Sequence, residues 1–135
     1  TGHLSPAESL RLLRFAAECG AKRMIVTHAS ESVPDMSVED QRQAVELGAF
    51  IEHCFLAATP CCPDNIPLSA IADQIQQLGP QHVILSSDFG QPANGPPITS
   101  FGEHVDRLEA LGFASAEIRQ MIVANPAKLM EGRHS

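Results

Sequence analysis

Two rhythms alternate along this chain. Val83-Ile84-Leu85 is an unbroken apolar run and reads as a strand buried on both faces. Met24-Ile25-Val26 within Arg23 to Thr27, and Ala49-Phe50-Ile51-Glu52, read as two more short strands. Between them apolar residues recur at helical spacing. Leu10, Leu13 and Ala17, widened by Leu12, Phe15 and Ala16, make the first apolar face. Gln41, Ala44, Val45 and Leu47 mark a second helix, and Leu68, Ile71, Ile75 and Leu78 a third, from about Pro67 to Leu78. A fourth helix is predicted from about Ile98 to Leu111, then two short ones carrying Ile118, Met121 and Ile122, and Leu129 and Met130.

The punctuation agrees with this order. Ser5 caps the first helix, Pro6 suits its first position and Glu8 completes a capping box. Ser37 and Asp40 repeat the device, Ser115 caps the first short helix, and Asn125-Pro126 starts the last. Gly20, Gly48, Gly79 and Gly112 stop the long helices. Thr1-Gly2-His3 reads as the end of a further strand. The prediction is an α/β fold of four consecutive βα units on a parallel sheet. Residues 1–135 form one domain, expected to be a piece of a longer protein, with Glu131 to Ser135 as a loose tail.

Composition narrows the partners. Hydrophobic residues make up 44% and charged residues 19%, as in a globular chain with a core. The net charge is −7 with only nine lysines and arginines, which argues against nucleic acid and anionic membranes. No apolar run approaches a membrane span. Cys19, Cys54, Cys61 and Cys62 are unevenly spaced and read as reduced thiols of a cytoplasmic protein.

Chemistry gathers at the strand tips. Parallel strands bring their C-terminal ends to one end of the sheet, so His3, His28, His53 and Asp88 are expected to converge. One such histidine alone is more often a hydrogen-bonded surface residue; three with an aspartate favour a divalent-metal site, with Zn²⁺ first and Mn²⁺ as an alternative. A carboxylate beside metal-bound water can take its proton, which suits hydrolysis. An aspartate ending a buried strand also calls for a cationic neighbour. His82, His104 and His134 read as structural or solvent-facing. A second zinc site from His53-Cys54 with Cys61-Cys62 fits no known spacing, and buried or loop thiols are the better reading. The chain has no P-loop, dinucleotide fingerprint or nucleophile elbow.

Thr1-Gly2-His3-Leu4-Ser5, Val26-Thr27-His28, Ile51-Glu52-His53, Ser86-Ser87-Asp88-Phe89-Gly90-Gln91 and Asn125-Pro126-Ala127-Lys128-Leu129 carry a resemblance over essentially the whole chain. In order and spacing they are similar to the C-terminal half of an amidohydrolase-superfamily (β/α)₈ TIM barrel, a metal-dependent hydrolase, and more distantly to TatD-like hydrolases. The resemblance implies that Asp88 ends the barrel's eighth strand and acts as catalytic proton shuttle and metal ligand. His3 and His28, ending the fifth and sixth, are then metal ligands, and His53 and Gln91 serve a small-molecule substrate. In a TatD-like register His28 and His53 would be the ligand pair instead. The chain departs from the family in having no H-x-H pair and no carboxylated-lysine strand.

A full barrel needs about 250 residues. The expectation is therefore a half-barrel, inactive alone and completed by an N-terminal half or by a second copy. Its open sheet edges favour association. The alternative is a non-catalytic α/β interaction or assembly domain that keeps its strand-tip histidines as relics. A redox or metal-sensing module built on the Cys-rich loop ranks below both.

Overall fold

The computed structural model describes residues 1–130. Helix α1 spans Pro6–Glu18, and Ser5 and Glu8 form the reciprocal capping box that the sequence predicts. Strand β1 is only Met24–Val26. Helix α2, Val38–Glu46, starts from Ser37 with Asp40 closing its own capping box. Then come β2 at Ala49–Cys54, α3 at Leu68–Leu78, β3 at Val83–Ser86 and α4 at Pro97–Ala110. Short 3₁₀ turns at Phe55–Ala58, Pro80–His82 and Pro92–Asn94 join them.

The three strands form one sheet in the order β1-β2-β3. Both pairings are parallel, with Val26 opposite Ile51 and Cys54 opposite Ser86. Sequential parallel strands joined by right-handed crossovers carry their helices on one face. The burial pattern agrees. Met24, Val26, Ala49, Ile51, Val83 and Leu85 belong to the core cluster with Leu10, Leu13, Ala44, Ile71, Ile75 and Leu108. At the alternate positions Ile25, Phe50 and Glu52 are half-buried and Ile84 and Cys54 buried, all outside that cluster.

Two expectations are corrected. The strand expected at Thr1-Gly2-His3 does not form, so the described sheet has three strands and not four. The Thr1 amine does donate to the Ile25 carbonyl at 2.9 Å, a single rung on the outer edge of β1. Gly2 then takes a left-handed φ of 64°, so the chain does not run on as a strand beside β1. The two short helices expected after Gly112 are both present, and they are continuous with one another. Helix α5, Ser115–Arg119, runs through a π-turn at Gln120–Ala124 into α6, Asn125–Met130. The Asn125 amide reaches back to the Gln120 carbonyl, and this wider turn accommodates Pro126, which has no N–H to give. Ala114, not Ser115, is the cap; its amide donates to Glu117, while the Ser115 hydroxyl donates to Glu109. The tail expected at Glu131 to Ser135 and His134 lie outside the described residues.

Asn125 fastens this last helix to the sheet. Its buried side-chain amide donates to the carbonyls of Pro80 at 2.8 Å and Val83 at 2.7 Å. His104 is structural, as expected: its Nδ1 donates to the Ser100 carbonyl at 2.8 Å and its ring stacks on Phe55. Among the described residues no helix is long and apolar enough to cross a membrane.

Candidate metal centre

Chain beyond β1 builds the first part of the site. His28 follows the strand by two residues with a left-handed φ of 61°. The Glu31 amide donates to the His28 carbonyl at 3.0 Å, closing a tight turn. That turn brings a Glu31 carboxylate oxygen to 2.7 Å from His28 Nδ1, with the two side chains only 14% and 12% exposed. Ala29, fully buried, donates to the Glu52 carbonyl and accepts from the Met36 amide, so the loop is tied to β2. Left-handed backbone at a histidine costs on the order of 1–3 kcal/mol and persists only where its surroundings enforce it.

Strand parity decides what β2 offers. Successive side chains leave a strand on opposite faces. His53 lies with Ile51 on the helix-covered side and is 1% exposed. Its Nδ1 meets the Ser30 hydroxyl at 3.1 Å, and its Nε2 has no partner among the described residues. Burial lowers its pKa to about 4, so it is a neutral imidazole at pH 7. Cys54 points the other way. Its Sγ lies 3.3 Å from the Ser86 hydroxyl. Burial pushes this thiol up to about 12, and the carboxylates of Glu52, Glu31 and Asp88 add to the rise. Without a cation it is therefore an inert thiol.

The expected residues are not brought together as one set. Among the described residues, the metal-capable group is His28, Glu31 and Cys54, whose ligating atoms all lie within 4.8 Å of one another. Of the expected ligands His3, His28 and Asp88, His28 alone belongs to it. His3 is exposed; its ring stacks on His28 with centroids 4.9 Å apart, and its Nδ1 lies 3.3 Å from the Val33 carbonyl. Asp88 lies beyond the end of β3 with a φ of 51° and is exposed, and no ion pair among the described residues includes it. Its field still reaches Cys54. Gln91 is exposed and shapes the same loop, donating to the Asp88 carbonyl at 3.3 Å and accepting from Asn94 at 2.8 Å. His53 sits outside the group, as does the Cys61-Cys62 pair; all four cysteines are free.

Sequence reasoning missed Glu31 and Cys54. Glu31 falls in a polar loop, where three residues' separation from His28 means nothing unless the loop turns. Cys54 was legible in principle: if His53 faces one side, its neighbour must face the other. The donor chemistry fits a divalent ion. One imidazole nitrogen, one carboxylate and one thiolate are zinc-type ligands, and three protein ligands leave a coordination position open.

Residues 1–52 match the model of a family of unknown function, DUF6282. That span holds His3, His28 and Glu31 and stops just before His53 and Cys54. No curated protein and no solved structure matches the chain.

Proposed function

We propose that this chain is the C-terminal half of a (β/α)₈-barrel, amidohydrolase-type hydrolase that opens an amide, ester or lactone-like bond in a small molecule. The observation that carries the reading is the gathering of His28, Glu31 and Cys54 at the C-terminal ends of parallel strands, with Asp88 at the tip of the next. Parallel α/β sheets build their active sites at that end. One-sided helix cover supports the half-barrel, because a barrel's inner sheet face is lined by strand residues alone.

His28 and its neighbours would hold the divalent ion, which supplies an acidified water and polarises the scissile carbonyl. Asp88, exposed at the mouth, is the residue that accepts the proton. His3 covers one face of the His28 ring. Burial keeps His53 out of solvent's reach, so any part it plays in substrate binding passes through Ser30. Free cysteines agree with a reducing compartment such as the cytoplasm.

The test is hydrolysis of ester, amide and lactone panels by the 135-residue chain and by the completed barrel, each with Zn²⁺ or Mn²⁺ and with a chelator. Metal-dependent turnover by the completed barrel, with little from the chain alone, is expected. An ion bound without turnover of any class would favour the non-catalytic domain, a reading supported by the solvent-facing Asp88.

A further inference from the structure

We infer that His28, Glu31 and Cys54 form a thiolate-bearing Zn²⁺ site that rejects Mg²⁺ and Ca²⁺. This deepens the hydrolase reading by naming its ion and three of its ligands, and it rests only on the metal part of that reading.

Three features of the cluster point the same way. The first is convergence from separate pieces of chain. His28 and Glu31 come from the loop after β1 and Cys54 from the end of β2, yet their ligating atoms share a space no wider than 4.8 Å. The second is shelter. His28 and Glu31 side chains are 14% and 12% exposed and Cys54 is 3% exposed, so an ion there must give up most of its water. Mg²⁺ sheds water reluctantly and demands octahedral oxygen ligands, and Ca²⁺ wants six to eight oxygens. One carboxylate among three ligands meets neither need, whereas Zn²⁺ accepts sulfur, nitrogen and oxygen in a four-coordinate shell.

Charge is the third feature. Among the described residues Glu52, Glu31 and Asp88 lie near enough to act on Cys54, and all three are acids. A dication entering beside them meets charge of the opposite sign. On loading, Cys54 gives its thiol proton to solvent and the sulfur lone pair goes to the metal. His28 and Glu31 exchange their 2.7 Å contact for bonds to the ion. Ser86 Oγ, 3.3 Å from the sulfur, remains as a hydrogen-bond donor to the thiolate.

The experiment uses tag-free chain, stripped of metal under reductant and titrated with Co²⁺ as a spectroscopic stand-in for Zn²⁺. A near-ultraviolet sulfur-to-cobalt charge-transfer band saturating at one ion per chain is expected. Zn²⁺ should erase the band, and a large excess of Mg²⁺ or Ca²⁺ should leave it. Cys54→Ser should abolish the band and weaken Zn²⁺ binding by about 100-fold or more, since losing even an outer partner of a ligand costs about 10–100-fold. Glu31→Gln should keep the band but weaken binding by at least about 10-fold. This variant decides the matter if Cys54→Ser melts early. Cys61→Ser, at an exposed thiol outside the cluster, should match the parent chain. Absence of the band, its survival in Cys54→Ser, or full Zn²⁺ affinity in Glu31→Gln would overturn the site. A normal band with no hydrolysis by the completed barrel would overturn the hydrolase reading alone.

Discussion

The Ser30 hydroxyl and His53 Nδ1 meet 3.1 Å apart, joining the loop after β1 to the buried side of β2. That contact gives His53 one polar partner in a position that is 1% exposed. The cost of charging the ring there makes His53 a pH-dependent element of stability. Its folded pKa is about 4 against an ordinary 6.5. Between those values the unfolded chain binds the extra proton, so stability rises with pH. The contribution is complete above about pH 6.5 and is lost as pH falls toward 4. It amounts to on the order of 3 kcal/mol, since each pKa unit is about 1.4 kcal/mol. Denaturant unfolding in a chelator from pH 7 to pH 4 should show a shallower decline for His53→Leu than for the parent chain. Parallel declines would remove His53 from the account.

Asp88 is exposed, so its removal should spare the fold. In the completed barrel Asp88→Asn should lower turnover by about 10²–10⁴-fold, the usual cost of losing a general base. Its melting temperature should stay within about a degree of the parent's. Ile51→Ala, at a fully buried position in the middle of the sheet, should instead cost roughly 2–5 kcal/mol through the cavity it leaves. Initial rates and thermal melts on both variants separate chemistry from structure. Near-full activity in Asp88→Asn would take the proton-acceptor role away from it.

Asn125 should prove a structural fastener. Its amide satisfies the carbonyls of Pro80 and Val83 at the foot of β3. Asn125→Leu leaves both without that donor and should cost about 2–3 kcal/mol. Asn125→Asp should be worse, because it sets a buried carboxylate against two carbonyl oxygens. Urea melts at pH 7 would rank the three chains, and an Asp variant as stable as the parent would contradict the hydrogen bonds.

The α2 cap offers a milder test. Ser37 Oγ accepts from the Asp40 amide at 3.1 Å while Asp40 reaches back to the Ser37 amide. Ser37→Ala should cost about 1 kcal/mol, and Ser37→Gly only a few tenths. Equal losses for the two would mean that backbone freedom, not the hydroxyl, governs this end.

What could be read without the fold is what acts over a few residues. Ser5 with Glu8 and Ser37 with Asp40 start their helices as expected, because a cap needs only its own first turn. Gly48 ends α2 in a left-handed conformation that other residues resist. Strands alternating with helices made the parallel sheet legible, and three of its strands are present. The number of strands was not so local. Residues 1–3 hold one hydrogen bond to β1 and turn at Gly2, so they add no strand to the described sheet.

The site depended on tertiary structure for a sharper reason. A strand reverses the face of its side chains at every residue, so locating a strand tip to within one residue does not say which neighbour enters the site. His53 read as the residue of β2 that faces the site, for substrate or in one register for the metal, and Cys54 as a buried or loop thiol; the pairing of Cys54 with Ser86 and the burial of His53 put Cys54 on the side of the cluster instead. Glu31 enters only because left-handed backbone at His28 folds the loop back on itself. Asp88 stays outside the cluster of ligating atoms because β3 stops at Ser86 and left-handed backbone at Asp88 leaves it exposed. Residue types and their order were enough to place chemistry at this end of the sheet. Which donors share one space was decided by strand parity and by two turns, properties of the folded backbone rather than of any residue's identity.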